Sequence, residues 1–261
     1  MVPSHPEAAR PLSGEGHGSA DVPEISIVIP ALNEERYIAD TVGQFTLLNG
    51  VVKYEVIVAD GGSSDRTVAI AQQHGAITCL NTADRRTTAG GRNLGARIAQ
   101  GELLIFCDAD TRLHDLRHFI DRVRSVFQDE RLVGAVPRVA VFPEEQVWSD
   151  VLYSALISAL IRIFMVLRWP FAGGQCQIVR RTSFESVQGY NEEQVHAEDS
   201  ALFKKLARVG HVRFLSDLTV FESPRRYRKL GYCRLILTGL YSIIGQMLLR
   251  RNVLTAWERV D

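Results

Sequence analysis

Leu103-Leu104-Ile105-Phe106-Cys107 is an unbroken apolar run that stops on two aspartates one residue apart, Asp108 and Asp110. A run without polar alternation is a strand buried on both faces, the pattern of a parallel sheet covered by helices. Such sheets bind ligands beyond the carboxyl ends of their strands, and the two carboxylates fall there. In extended chain, residues i and i+2 point the same way, so Asp108 and Asp110 can address one point. A hard divalent cation shared with substrate phosphates needs anionic oxygens and open positions of this kind. The same residues also suit a plain helix start, with Asp110 or Thr111 as the N-cap.

The chain before this run repeats its pattern. Strands are expected at 24–30 and 54–60, the second again ending on an aspartate, Asp60, ahead of the turn Gly61-Gly62-Ser63-Ser64-Asp65. A helix is expected from Asn33, as N-cap, to about Leu48, and another over 67–74 closed by Gly75. A strand at 76–80, a polar loop at 81–91, a helix carrying Arg92, Asn93 and Arg97, a helix over 116–127 and a strand over 131–136 follow. Strands alternating with helices imply a parallel sheet with right-handed crossovers. Farther on, short strands are expected at 176–179, 211–215 and 219–222, and helices at 180–187 and 201–209, the latter opened by Glu198-Asp199-Ser200.

Two apolar stretches stand apart. Residues 151–167 are nearly all apolar but carry Arg162 near the middle, which argues for a buried or interfacial helix over a spanning one. Residues 230–249 are apolar apart from Arg234 and a few polar residues, between the basic stretch 225–229 and Arg250-Arg251. An amphipathic helix lying in a membrane interface is the expectation there.

Bulk properties narrow the classes. The 30 Lys and Arg balance 30 Asp and Glu, so no excess of positive charge argues for nucleic acid. Cys79, Cys107, Cys176 and Cys233 form no C-x-x-C pair, which excludes a disulfide framework or a structural zinc site and fits a reducing compartment. Residues 1–22 hold Pro, Gly, Ser, Glu and His without an apolar core, so a disordered arm is expected, not a leader. The expected location is the cytoplasm, peripheral on the cytoplasmic face of a membrane.

Five stretches together resemble family 2 glycosyltransferases of the GT-A fold: Ser26-Ile27-Val28-Ile29-Pro30-Ala31-Leu32-Asn33-Glu34, Val58-Ala59-Asp60-Gly61-Gly62-Ser63-Ser64-Asp65, Gly91-Arg92-Asn93-Leu94-Gly95, the run from Gly101-Glu102 to Asp108-Ala109-Asp110, and Glu198-Asp199. The resemblance covers about residues 24 to 226. It implies an α/β fold: a mixed, mostly parallel, Rossmann-like sheet flanked by helices, with a C-terminal apolar helix. The implied organisation is an arm over 1–22, a glycosyltransferase domain over 23–226 and a basic, apolar tail over 227–261.

The resemblance also implies chemistry: a UDP- or GDP-sugar donor, a Mg²⁺ or Mn²⁺ ion on its diphosphate, and inverting transfer to a lipid, polyprenyl-phosphate or glycan acceptor. By position, Pro30, Ala31, Asn33 and Glu34 would line the nucleoside pocket, and Asp60 would accept from the base N–H. Asp108 would lie near ribose and metal, Asp110 would ligate the metal, and Arg92 would stand on the nucleotide side or, equally, face solvent. Asp199, with Glu198, would take the acceptor proton. Arg225 and Arg226 would clamp the diphosphate or collar the tail on anionic lipid. His196 and His211 are possible third metal ligands, neither assigned.

The chain departs from the family in having one aspartate at Ala59-Asp60-Gly61-Gly62 where many members have two, and in lacking the Gln-x-x-Arg-Trp motif of processive polymerases. Two other classes compete. A sugar nucleotidyltransferase would need a basic Gly-rich loop after the first strand, and Ala31-Leu32-Asn33-Glu34-Glu35 is acidic. A non-catalytic nucleotide-binding or membrane-surface module of the same fold is distinguished by metal-dependent nucleotide binding.

Overall fold

The structure, a computed structural model, describes residues 22–83, 86–167, 169–194 and 197–238. Its strands are β1 (Ile25–Ala31), β2 (Tyr54–Asp60), β3 (Ile77–Leu80), β4 (Leu103–Cys107), β5 (Thr111–Leu113), β6 (Leu132–Val141), β7 (Cys176–Arg180) and β8 (His211–Glu222). Its helices are α1 (Ile38–Gly43), α2 (Thr67–Gln73), α3 (Thr88–Ile98), α4 (Leu116–Val126), α5 (Trp148–Val166), α6 (Arg181–Ser186), α7 (Glu198–Val209) and α8 (Arg225–Leu230).

The strands form one sheet in the order β3-β2-β1-β4-β7-β6-β8-β5. Pairings on the β3 to β4 side are all parallel, and β6 pairs parallel with β8. β7 runs antiparallel between β4 and β6, and β5 antiparallel on β8. The expected mixed, mostly parallel sheet is present.

The apolar runs have their cause in this arrangement. Ile25, Ile27 and Ile29 of β1 and Leu103 and Ile105 of β4 pack under Phe45, Phe119, Ile120 and Val123 on one face. Val28, Leu104 and Phe106 pack against Phe184, Phe203 and Leu206 on the other. Both faces of β4 are dry, so alternation has no use there. Each such side chain contributes roughly 1.5–3 kcal/mol by leaving water.

Several expected elements differ. The helix placed from Asn33 begins at Ile38 and gives way to a 3₁₀ turn over Gln44–Leu48. Asn33 has φ +56° and its side chain is bonded elsewhere, so it caps no helix. The two short strands expected at 211–215 and 219–222 are one strand, β8, with a register shift opposite Pro137/Arg138. The three-residue β5 was not expected, being too short for any periodicity to show.

The long apolar helix is also a correction. Among the described residues it is the mid-chain α5, not a C-terminal helix. After α8, Gly231 at φ +78° breaks the helix, which resumes at 232–238. The rest of the 230–249 stretch, and the arm over 1–21, lie outside the described residues.

Gly101 joins α3 to β4, and its N–H donates to Ser26 Oγ at 2.8 Å. A Cβ there would stand 2.5 Å from Ser26 N and 2.7 Å from the Ile25 carbonyl carbon. Backbone of a central strand cannot yield as a side-chain tip does. Gly101→Ala is therefore expected to lower the unfolding free energy by about 1–3 kcal/mol, read from the urea midpoint.

Candidate active site

The carboxyl ends of β1 and β2 carry two loops that fasten each other. Asp60 is 4% exposed, and its carboxylate accepts from Gly62 N at 2.8 Å, Ser63 N at 3.0 Å and Ser63 Oγ at 2.5 Å. Asn33 N donates to Ser63 Oγ at 2.9 Å, and Asn33 Oδ1 accepts from Ser64 N at 2.9 Å. Glu34 N donates to Thr67 Oγ1 at 2.8 Å. Asp60 thus shapes its own turn besides standing at the strand end.

The two glycines after Asp60 sit in a tightly held turn. Gly61 N donates to Ala31 O at 2.7 Å, and Gly62 lies at φ +90°. A Cβ on Gly62 would fall 2.0 Å from Arg86 Nη1, which reaches across to donate to Gly61 O at 3.1 Å. Arg86, from the polar loop after β3, is a residue that no motif pointed to.

Asp108 and Asp110 follow β4 and are held by different arginines. Asp108 Oδ1 accepts from Arg92 Nη2 at 2.9 Å, while Asp110 Oδ2 lies 3.2 Å from Arg225 Nη2. Between them, Ala109 O accepts from Thr41 Oγ1 at 2.6 Å, which pins the turn. Burial pushes the Asp110 carboxyl up to about 7 against the pull of Arg225, and the charges of Asp108 and Glu34 push the same way. Arg225 Nη2 also donates to both oxygens of Glu34, at 2.8 and 3.0 Å, and its guanidinium lies 5.1 Å from the centre of the Tyr37 ring. Arg226 loses basicity by burial, against the charges of Glu222, Asp108 and Asp110.

Arg92 does not face solvent. It is 1% exposed and sits among three carboxylates. Nη1 donates to Asp199 Oδ1 at 2.6 Å and to Glu198 Oε1 at 3.4 Å, and Nη2 donates to Asp108 Oδ1 and to Gly174 O at 2.8 Å. Burial opposes its charge, but Asp199, Asp108 and Glu198 outweigh it and hold its pKa well above the ordinary value. Its Nε is, among the described residues, the buried side-chain nitrogen or oxygen without a hydrogen-bond partner.

Glu198 and Asp199 occupy the first turn of α7, where the helix dipole favours negative charge. Ala197, just before them, has φ +53°, a strained value for a residue with a Cβ. Asp199 Oδ1 accepts a second bond from Gln177 Nε2 at 2.7 Å. Its Oδ2 abuts Gly174, where a Cβ would fall 2.8 Å away. Burial raises Glu198 to about 8, with Asp199 adding to the rise and Arg92 opposing it. Asp199 is also raised by burial, against Arg92.

Glu222, at the end of β8, is a further carboxylate that the sequence did not reveal. Tyr227 Oη donates to it, and Gln175 Nε2 lies at 3.4 Å. Burial pushes it to about 8, with Asp110 and Asp108 adding. The pairing of β8 with β5 brings it beside the aspartates, through Thr111↔Glu222.

The remaining candidates separate. Pro30 and Ala31 end β1. His211 begins β8 opposite Leu132, at the other end of a 12-residue strand from Glu222, and so lies away from Asp110. His196 lies outside the described residues. Among the described residues no three His, Cys, Asp or Glu groups form a ready-made metal cage. Asp110 and Asp108 instead fit an ion that keeps open positions for donor phosphates and water, as Mg²⁺ and related ions do.

Comparison with known proteins adds relatives in sequence and in fold. The family model described as glycosyl transferase family 2 matches residues 26–188. A poly(ribitol-phosphate) beta-N-acetylglucosaminyltransferase of Staphylococcus aureus is 30% identical over 225 residues, 78% of this chain and 36% of the relative. A beta-monoglucosyldiacylglycerol synthase of Trichormus variabilis is 28% identical over 202 residues, 72% of this chain and 42% of the relative. The chain thus spans about two fifths of the length of these curated relatives. A mannosyltransferase of Pyrobaculum calidifontis, solved with GDP-Man and Mn²⁺, shares the fold at a TM-score of 0.62 and 19% identity, over 84% of this chain and 64% of that one.

Two outcomes follow from the buried charges. Arg92→Met leaves its carboxylates without their cation and should cost about 3–5 kcal/mol in urea unfolding. Glu198 holds its proton to about 8 in the folded chain against 4.5 ordinarily. Across that window the unfolded chain gives up a proton that the folded chain keeps, so stability falls as pH rises. Glu198→Gln removes this contribution, and its Tm should fall less between about pH 5 and pH 8 than that of the unchanged protein, by calorimetry.

Proposed function

The chain belongs to glycosyl transferase family 2, and from that premise we propose that it is an inverting, metal-dependent glycosyltransferase using a UDP- or GDP-sugar. Its acceptor is lipid-linked or membrane-proximal, a lipid, a polyprenyl phosphate or a glycan, met on the cytoplasmic face. One observation carries the reading. The Arg92 guanidinium holds Asp108, on the donor side, and Glu198-Asp199, on the acceptor side, in one buried cluster. An in-line displacement needs those two sides fixed against each other.

The roles are those that the resemblance implies, and the contacts support them. Pro30, Ala31, Asn33, Glu34 and Asp60 form the nucleoside side, on loops made rigid by the Asn33–Ser64 and Asp60–Ser63 bonds. Asp110, with Asp108, holds the divalent ion, which when bound neutralises charge on the leaving diphosphate. Arg225 and Arg226 bring further positive charge beside those aspartates, and Arg suits bidentate contact with phosphate.

Asp199 is the base. Arg92 and Gln177 occupy its Oδ1, which leaves Oδ2, beside Gly174, to take a proton. The acceptor oxygen attacks the anomeric carbon as its proton passes to the carboxylate. The bond from that carbon to the diphosphate oxygen breaks, and the electron pair leaves with the diphosphate. A single displacement inverts the configuration. A carboxyl raised by burial suits this task near neutral pH. Arg92 acts as a positioning residue, set against the base rather than the nucleotide.

The relatives support parts of this reading. The beta-monoglucosyldiacylglycerol synthase is named for a lipid product, and the mannosyltransferase was solved with a GDP-sugar and Mn²⁺. The nucleotidyltransferase alternative fares poorly, because Glu34 beside β1 is acidic and engages Arg225.

Asp110→Ala should abolish Mn²⁺-dependent binding of nucleotide-sugar in calorimetry. Asp199→Asn should keep that binding and lower transfer about 10²–10⁴-fold, the range for a lost general base. Full transfer by Asp199→Asn, or a product with retained anomeric configuration by NMR, overturns the assignment. Absence of metal-dependent nucleotide binding in the unchanged protein favours the non-catalytic module.

A further inference from the structure

α5 reverses the usual order of a surface helix. Three of its polar side chains, those of Ser149, Asp150 and Ser154, turn toward the protein. Ser149 Oγ donates to Tyr232 Oη at 3.4 Å, and Ser154 Oγ donates to Val139 O. Asp150 is 1% exposed and bonded to Arg228 Nη2 at 2.7 Å, Tyr232 Oη and its own Val147 N–H. Its apolar side chains turn out: Trp148 is 79% exposed, Leu152 63%, Ile163 53% and Val166 77%. Together with Leu156 these recur every three, four or seven residues, so they form one stripe along the helix. The helix is long and apolar enough to cross a membrane, and little of it is buried. A helix turned to water shows the opposite order.

We propose that α5 is a docking surface for an anionic lipid bilayer and lies in the plane of its interface. Docking itself does not depend on the glycosyltransferase reading. What rests on that reading is the consequence that docking delivers the acceptor.

Three observations favour a bilayer as the occupant. The stripe on 19 residues is about 28 Å long and about 10 Å wide, roughly 300 Å². A stable protein interface takes about 800 Å² from each partner, so the stripe alone is too small to hold a second copy. Trp148 stands exposed at one end, a side chain suited to the headgroup level. Arg162 is exposed on the stripe, where its stem can follow apolar surface while its guanidinium reaches lipid phosphate. Lys229 in the last turn of α8 and Arg234 after it add exposed basic residues near Tyr232 in sequence.

Lying suits α5 better than spanning. One side of it packs on β6 and β8, so lipid cannot surround it. From its end the chain runs through Trp169 and Phe171 to Gly174, which touches Asp199. Phe164, Trp169 and Phe171 line a small cleft there with Lys204 of α7, whose Nζ lies 4.4 Å from the Trp169 ring centre. An acceptor held in the bilayer along α5 would meet the base from this side.

The test is co-sedimentation of the full chain, without donor, with phosphatidylcholine vesicles that do or do not contain phosphatidylglycerol. The unchanged protein is expected to sediment with the anionic vesicles. Leu152→Glu combined with Ile163→Glu should weaken that binding about tenfold or more, since charge placed in the buried face opposes insertion. Arg162→Glu should remove the preference for the anionic lipid. Leu47→Glu, an exposed apolar position off α5, should change nothing. The urea unfolding midpoint of each variant reports that it is folded. Nucleotide binding, measured separately, can fail without affecting the vesicle result, which keeps the two proposals apart. No sedimentation of the unchanged protein, equal sedimentation of the Leu152/Ile163 variant, or a lipid-free dimer that this variant dissociates each overturns the proposal.

Discussion

The buried guanidinium of Arg92 is the constraint on which the rest of the site depends. It lies on α3, yet its two nitrogens reach the end of β4, the start of α7 and the loop before β7. Four segments distant in sequence meet at one side chain. A buried charge is costly unless it is paired, and three carboxylates with one carbonyl supply the pairing. The arrangement restricts its neighbours. Gly174 has no room for a Cβ, and Gly189 likewise faces Asn93, the residue next to Arg92, at a distance no Cβ would tolerate. Rigid placement of opposing groups is the physical requirement of a displacement reaction, and here it arises from a single desolvated cation.

Much of the parallel half of the sheet was legible in the sequence, because buried strands there are written as apolar runs. β2 and β4 occupy the stretches expected, and β1 differs by one residue at each end. The ends of those strands, with Asp60, Asp108 and Asp110, were legible for the same reason. What escaped depended on pairing across long separations. Glu222 enters the site because β8 returns antiparallel to β5, and no local pattern encodes that. Arg86 reaches Gly61 from a loop without periodicity. The helix expected at Asn33 failed because a residue that suits an N-cap was used to tie two loops together. Composition alone could not separate a solvent-facing Arg92 from a buried one, since burial of arginine is decided by its partners.

The half-turn of chain around α8 links regions that look separate. Arg225 on this short helix engages Glu34, while Arg228, three residues on, engages Asp150 of α5. Tyr227, between them, donates to Glu222. The rings of Tyr153, Tyr227 and Tyr232 lie within 6 Å of one another, centre to centre, and fill the space beneath. The apolar helix and Arg225 therefore share one mechanical mount.

The contact of Arg225 with Asp110 and Glu34 has a consequence for the order of events. The guanidinium is shared between two carboxylates, Asp110 and Glu34. Under the proposed roles, an ion taken up by Asp110 would shift Arg225 wholly onto Glu34, and a diphosphate arriving with the ion would offer it a second anion. The loading of ion and nucleotide would then be coupled through this one side chain.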